Sequence, residues 1–315
     1  MQKSKNVGYG KVILFGEHFV VYGLPGIAAA MEDYTTAKVE KGKPGTGVVF
    51  SDNRPETPGY KETKLGERNR MMELMLKYLN IDPKKTPLKI TLSGTLRCTS
   101  GNGSSAAMAT AIARALSEHF GLGLNENQIN DVSYEGEKGS AGTPSGIDNT
   151  CATYGGIIIF RKNLSGGPNK IDKMKVGKPI HIVIANTGIT QETKLVVEDV
   201  KRHKDADPKK YERIFSDYNK VFESAKKAIE KGDMIEIGRL MDRNQELLRE
   251  ITVSCPEIEK ICKIAKTAGA IGAKLTGTGR GGSVVLLAAD ETSQEKIAKA
   301  VEKIGFKTME TRIGV

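Results

Sequence analysis

Ser100-Gly101-Asn102-Gly103-Ser104-Ser105 runs directly into Ala106-Ala107 and a helix-forming stretch. Closely spaced glycines let a backbone turn its N–H groups toward an anion. A helix starting there adds free N–H groups and the positive end of its dipole. Phosphate is the expected guest. A plain turn with an N-capping serine is an equal alternative on these residues alone. No Gly-Lys-Ser/Thr follows, so this is not a Walker-type loop, and the third glycine of a dinucleotide fingerprint is missing. Gly142-Thr143-Pro144-Ser145-Gly146-Ile147-Asp148-Asn149 holds an aspartate on a Pro/Gly loop. Such a residue suits proton transfer or charge stabilisation, with ordinary turn chemistry as the competitor. Gly277-Thr278-Gly279-Arg280-Gly281-Gly282 lies between two strand-like runs. Its glycines cost folding entropy, so either a ligand or another loop comes close, or the segment is a mobile hairpin. Gly10-Lys11-Val12-Ile13-Leu14-Phe15-Gly16-Glu17-His18 starts a buried strand with a lysine and follows it with Glu and His. That charge can project into a cleft, although a lone lysine at a strand end more often sits in solvent.

These residues need elements to hold them. Lys11–Phe15, Thr35–Val39, Val48–Phe50 and Leu88–Leu92 read as strands. Met72, Met75, Leu76 and Leu79 recur at helical spacing over 69–79. The surrounding Lys43–Glu67 stretch, rich in Gly, Pro and charge, predicts a long hairpin connection or a mobile loop. A strong helix is predicted from Ser105 to Phe120, with Gly121 just past its end. Asn125 and Gln128 form a capping pair for a second helix that carries Glu137. A Gly-Ser-Pro loop over 139–148 and a strand from Gly156 to Phe160 follow, and the lysine-rich stretch after Ser165 reads as a connection. Beyond it come a strand at His181–Ala185, a long helix with Tyr211, Ile214, Tyr218 and Phe222 on one face, helices at Met234–Leu248 and Pro256–Ala268, and a final strand–helix–strand. The mixture is α+β.

With 315 residues the chain is long enough for two cores. The longest apolar runs are strand-sized, well short of the roughly 20 residues of a bilayer span, and no secretory signal opens the chain. A cytoplasmic location is expected. Cys98, Cys151, Cys255 and Cys262 form no C-x-x-C pair and do not cluster with the histidines, which argues against zinc. The net charge of +10 is spread among glutamates and lacks aromatic interleaving, so solvated helix faces explain it better than nucleic acid does.

Taken together, the four constellations resemble the GHMP kinases, and all three motifs of that superfamily occur in its order from Lys11 to Gly282. Within it, the run from Gly10 to Gly23, the Gly142–Asn149 segment and Lys274-Leu275-Thr276-Gly277 are most similar to mevalonate kinases. The resemblance implies an α+β, two-domain fold. An N-terminal ribosomal-protein-S5-like, ATP-binding domain would span 1–178 and a C-terminal ferredoxin-like α/β sandwich 179–315. It implies ATP and Mg²⁺ as cofactors and transfer of the γ-phosphate to the primary hydroxyl of mevalonate, a step of isoprenoid biosynthesis. Asp148 matches the catalytic aspartate and Lys11 the lysine beside it. Lys11 with Thr99, Ser100, Gly101, Asn102, Gly103, Ser104 and Ser105 matches the ATP-binding set. Ser105 and Glu137, the latter eleven residues before Asp148, match the magnesium ligands. Glu17, His18, Asp148 and Thr193 match substrate contacts, and Arg161 is a candidate for the substrate carboxylate. The chain departs from the family pattern in four ways: Arg97-Cys98-Thr99-Ser100 lacks the proline that opens the phosphate loop, Asn102 replaces a leucine, and Thr278 and Arg280 intrude on an Ala/Gly loop. Arg280 is expected to meet a phosphate. Phosphomevalonate, homoserine or a similar hydroxylated acid stands as an alternative acceptor, and a non-catalytic ATP/metabolite sensor as an alternative class. The sequence leaves a homodimer open.

Overall fold

In the computed structural model, residues 6–99, 101–142, 144–167 and 169–314 are described. In chain order the elements are β1 (Val7–Phe15), a 3₁₀ turn (Glu17–Tyr22), β2 (Gly26–Lys41), β3 (Val48–Asp52), α1 (Tyr60–Thr63), α2 (Leu65–Tyr78), β4 (Leu88–Gly94), α3 (Ser104–His119), α4 (Glu126–Ala141) and α5 (Ile147–Tyr154). There follow β5 (Ile157–Arg161), β6 (Lys170–Met174), β7 (Ile180–Asn186), α6 (Thr193–Ala206), α7 (Pro208–Lys231), α8 (Met234–Glu250), α9 (Pro256–Thr267), β8 (Gly272–Thr276), β9 (Ser283–Ala288), α10 (Glu291–Glu302) and β10 (Lys307–Ile313). Two compact units result: the chain up to Lys11 with Ala30–Gly155, and Val12–Ala29 with the chain from Gly156 onward.

In the first unit, β4 pairs antiparallel with β2, Thr35 facing Gly94, and parallel with β3, Val48 facing Leu88. Alternation along β4 turns Leu88, Ile90 and Leu92 inward, where they meet Met71, Met72, Met75 and Leu76 of α2 and Ile112 and Leu116 of α3. The parallel pairing replaces the hairpin predicted for Lys43–Glu67, because a parallel partner requires a long crossover, which α1 and α2 supply. The capping pair is present: Asn125 Oδ1 accepts from Gln128 N and Gln128 Oε1 from Asn125 N. Helix α4 runs on to Ala141, so the predicted 139–148 loop is shorter than expected, and Asp148 lies in the first turn of α5.

Close packing of α2 on α4 depends on a missing side chain. A Cβ at Gly139 would lie 2.5 Å from the backbone N of Met71. Gly139→Ala is therefore expected to lower stability by about 1–3 kcal/mol, despite the roughly 1 kcal/mol an alanine gains in helix propensity. Urea unfolding measures it. An unchanged midpoint would mean the two helices part without cost.

The second unit is built on an antiparallel sheet in the order β10-β7-β9-β8. Tyr211, Ile214, Tyr218 and Phe222 form the buried stripe of α7 that the periodicity predicts. Tyr218 stacks on Phe19 at a 4.0 Å centroid distance and donates to the carbonyl of Pro25. The segment read as a connection after Ser165 contains β6, an edge strand paired with β5. Its outward Lys170, Asp172 and Lys173 hide it in the sequence while protecting the edge. No helix among the described residues is long and apolar enough to cross a membrane.

Candidate active site

Lys11 lies midway along β1, between the buried Gly10 and Val12, and its side chain is only 10 % exposed. Its backbone N–H donates to the carbonyl of Asn102 at 2.8 Å. The loop passes so close above it that a Cβ at Gly103 would come within 2.8 Å of Lys11 Cγ; Gly103 itself has φ 73°. Lys11 Nζ lies 2.9 Å from Asp148 Oδ1. Burial pulls the ammonium's pKa down, but the charge and hydrogen bond of Asp148 outweigh it, and the net shift is upward. Asp148, more than a third exposed, lines the same cleft as Lys11.

Helix α3 has Gly103 at its N-cap position, which offers no capping side chain. The N-capping serine that competes with a phosphate loop is therefore not used for that purpose: Ser104 Oγ donates instead to the carbonyl of Thr99. Ser105, in the first turn, donates to Glu137 Oε2 at 3.3 Å. The other carboxylate oxygen of Glu137 is buried with no partner among the described residues. Burial first, and then the negative charge of Asp148, push the Glu137 carboxyl up to about 8, against weaker pulls from Ser105 and Lys11. Thr99, Gly101, Gly103, Ser104, Ser105, Glu137, Asp148 and Lys11 all line one cleft. Ser100, predicted for the same loop, lies outside the described residues.

Another part of the lining of this cleft is one that sequence reasoning missed. Asp52 holds Arg54 through two bonds of 2.9 and 2.7 Å, and Lys61 Nζ donates to the carbonyls of Asp52 and Arg54. Tyr60, Lys64 and Arg68 complete it. Arg68 lies over the Phe50 ring at 4.4 Å with its Nε unpartnered among the described residues. The recurrence of basic residues at 61, 64 and 68, spaced at helical intervals, is the signal that could have found this wall.

The remaining predicted residues belong to the second unit. Glu17 has no exposed side-chain surface and pairs with the equally buried Lys274. It is thus not free to touch a ligand as expected; it fastens the 3₁₀ turn that bears His18. Burial raises the Glu17 carboxyl and lowers the Lys274 ammonium. His18 Nε2 lies 2.6 Å from the carbonyl of Thr278, and Thr193 Oγ1 lies 2.7 Å from Thr278 Oγ1. Arg161 is exposed at the end of β5.

Comparison with known proteins places these motifs in a family. The GHMP kinase N-terminal domain matches residues 68–156, and the GHMP kinase C-terminal region matches 225–307. A mevalonate kinase of Pyrococcus furiosus is 32% identical across 96% of this chain and 94% of its own. The chain belongs to the GHMP kinase family. It is accordingly an ATP-dependent phosphotransferase acting on an alcohol. The crystal structure of L. major mevalonate kinase in complex with R-mevalonate superposes with a TM-score of 0.95 at 39% identity, covering 99% of this chain and 96% of that one. The Methanococcus jannaschii mevalonate kinase superposes with a TM-score of 0.80 at 26% identity, covering 99% of each.

The departures of this kinase from its family pattern have structural reasons. Asn102 is 4% exposed; its Nδ2 donates to the carbonyl of Arg97 and its Oδ1 accepts from Ser104 N, so it ties the two ends of the phosphate loop where a leucine cannot. Arg280 is not held out toward a phosphate, as expected, because its guanidinium pairs with Asp199 and donates to the carbonyl and hydroxyl of Thr252.

Proposed function

We propose that this kinase transfers the γ-phosphate of ATP to the primary hydroxyl of mevalonate, giving 5-phosphomevalonate for isoprenoid biosynthesis. One observation carries the chemistry: the Lys11–Asp148 ion pair and the Ser105–Glu137 pair open into a single cleft at the N-terminus of α3, where Gly103 occupies the N-cap position. The choice of acceptor is supported by the likeness to a mevalonate kinase crystallised with R-mevalonate.

The roles follow from the groups. Phosphoryl transfer needs positioning and charge neutralisation more than covalent help. The amides of the Thr99–Ser105 loop and the first turn of α3 cradle the phosphates. Asp148 orients the acceptor hydroxyl and takes its proton as the bond to phosphorus forms. Lys11, held 2.9 Å from that carboxylate, stabilises negative charge on the attacking oxygen. Ser105 and Glu137 fit a divalent cation: both present hard oxygens, and one buried Glu137 oxygen lacks any partner among the described residues. When bound there, Mg²⁺ supplies charge neutralisation for the β- and γ-phosphates. In the second unit, His18 and Thr193 are assigned to the substrate, with Glu17 acting from beneath His18.

A coupled ADP-release assay on purified protein tests the acceptor. Mevalonate should be turned over at least about tenfold faster than phosphomevalonate, homoserine or galactose. Equal or faster turnover of phosphomevalonate would shift the assignment to that acid.

A further inference from the structure

The loop from Gly277 to Gly282 is pinned rather than mobile. Arg280 N donates to the carbonyl of Val253 at 2.7 Å, and Gly282 N to that of Ile189 at 2.8 Å. The carbonyl of Gly282 accepts from both N and Oγ1 of Thr187. A Cβ at Gly279 would meet the carbonyl oxygen of Val253 at 2.3 Å, and one at Gly281 the side chain of Ile189 at 2.8 Å. Arg280 adopts φ 51°, in the left-handed region, and is held there by Asp199 and Thr252. These contacts fix where Thr278 sits.

Thr278 presents two groups, and each holds one of the two side chains assigned to the substrate. Its carbonyl can only accept, so His18 Nε2 carries the hydrogen across their 2.6 Å contact. Nδ1 is then the lone-pair nitrogen, and no hydrogen bond to it occurs among the described residues. Burial pushes the His18 pKa down, outweighing the opposite pull of the Thr278 carbonyl, and the charge of Arg280 adds to the fall, so the neutral ring is favoured. The Thr278 hydroxyl shares a hydrogen with Thr193 Oγ1 at 2.7 Å. Thr193 is exposed in the first turn of α6, so the second hydrogen of this hydroxyl pair is available to a ligand.

We infer that Thr278 is a positioning residue for the acceptor: it sets the tautomer of His18 and the direction of the Thr193 hydroxyl, so that together they offer one acceptor and one donor to a hydroxylated carboxylic acid. A ligand hydroxyl donates to His18 Nδ1, and a ligand carboxylate oxygen accepts from the threonine pair. This rests on the assignment of His18 and Thr193 to the substrate. The family pattern has alanine at this place in the loop, which keeps the carbonyl and loses the hydroxyl. The threonine is thus an addition in this chain that acts through Thr193.

Steady-state kinetics of Thr278→Ala, Thr278→Ser, Thr193→Ala and the Thr193/Thr278 double alanine variant test the inference. Thr278→Ala should raise the KM for mevalonate about tenfold and leave the KM for ATP within about twofold. Serine at 278 should restore it. The double variant should lose no more than Thr193→Ala alone, because Thr278 acts through the Thr193 hydroxyl. Nitrogen-15 NMR of the His18 ring should show the neutral, Nε2-protonated form at neutral pH and above in all variants. If Thr193→Ala raises the mevalonate KM but Thr278→Ala does not, the positioning role is overturned while the substrate assignment stands. If Thr193→Ala leaves that KM unchanged, the assignment of Thr193 fails and takes the inference with it. A rise in both Michaelis constants that serine does not restore would mark a general loss of structure and overturn the inference too.

Discussion

Asp148→Asn should lower kcat by about 10³-fold while changing the KM for ATP by less than about threefold. The asparagine keeps the shape of the side chain and its place in the first turn of α5, but it cannot take a proton. It also removes the negative partner of Lys11, leaving a buried ammonium without its 2.9 Å contact. Part of the loss will therefore come from Lys11 moving off the position where it meets the attacking oxygen. A Lys11→Met variant should lose a similar amount, and the double variant little more, since both side chains serve one event. Loss of ATP binding without loss of kcat would assign the pair to nucleotide contact instead.

Glu137→Gln should change stability with pH in a direction that burial, reinforced by the charge of Asp148, dictates. The wild-type carboxyl is pushed up to about 8 in the fold, against a reference value of 4.5. A raised pKa means the folded state holds the proton more tightly than the unfolded chain. The resulting contribution to stability is fully present below pH 4.5 and is lost as pH rises to about 8. Without nucleotide, the glutamine variant should match the wild type near pH 4.5 and exceed it by about 3–5 kcal/mol at about pH 9, with the gap opening between those values. Melting with and without Mg²⁺ and ATP reads both halves of the argument. A cation at Glu137 and Ser105 would favour the ionised carboxylate, so Mg²⁺–ATP should stabilise the wild type far more than the variant. The variant should also lose about 10²-fold in turnover. A stability difference that stays flat with pH would mean the carboxyl ionises freely in the fold.

Much of this site is legible in the order and spacing of its residues. The Asn125–Gln128 capping box starts α4 at a definite residue, and counting turns from it carries Glu137 to the end of the helix. Lys11, Ser105 and Asp148 each stand in a local pattern of glycines and apolar residues that fixes the turn or helix around them. What the sequence hides has a common cause. Helix α5 has only eight residues, preceded by Pro144 and Gly146, too short for a periodic signal to emerge. Helix α6 buries only Val196 and Val200, so its apolar stripe is too thin to read. The partnership of Glu17 with Lys274 joins residues 257 positions apart, and the Thr193–Thr278 contact joins residues 85 apart; neither leaves a mark in spacing. Arg280 reads as a phosphate ligand from charge alone, and only the fold reveals that Asp199 already occupies it.

Phosphorus-31 NMR of the protein incubated with one equivalent each of ATP, Mg²⁺ and mevalonate is the most direct test of a phosphotransfer cleft built on Lys11, Ser105, Glu137 and Asp148. The wild type should give ADP and a phosphomonoester resonance coupled to the methylene protons of the primary carbon, and Asp148→Asn should give neither on the same timescale. Release of ADP with inorganic phosphate and no phosphomonoester, or an undiminished ester signal from Asp148→Asn, would contradict it.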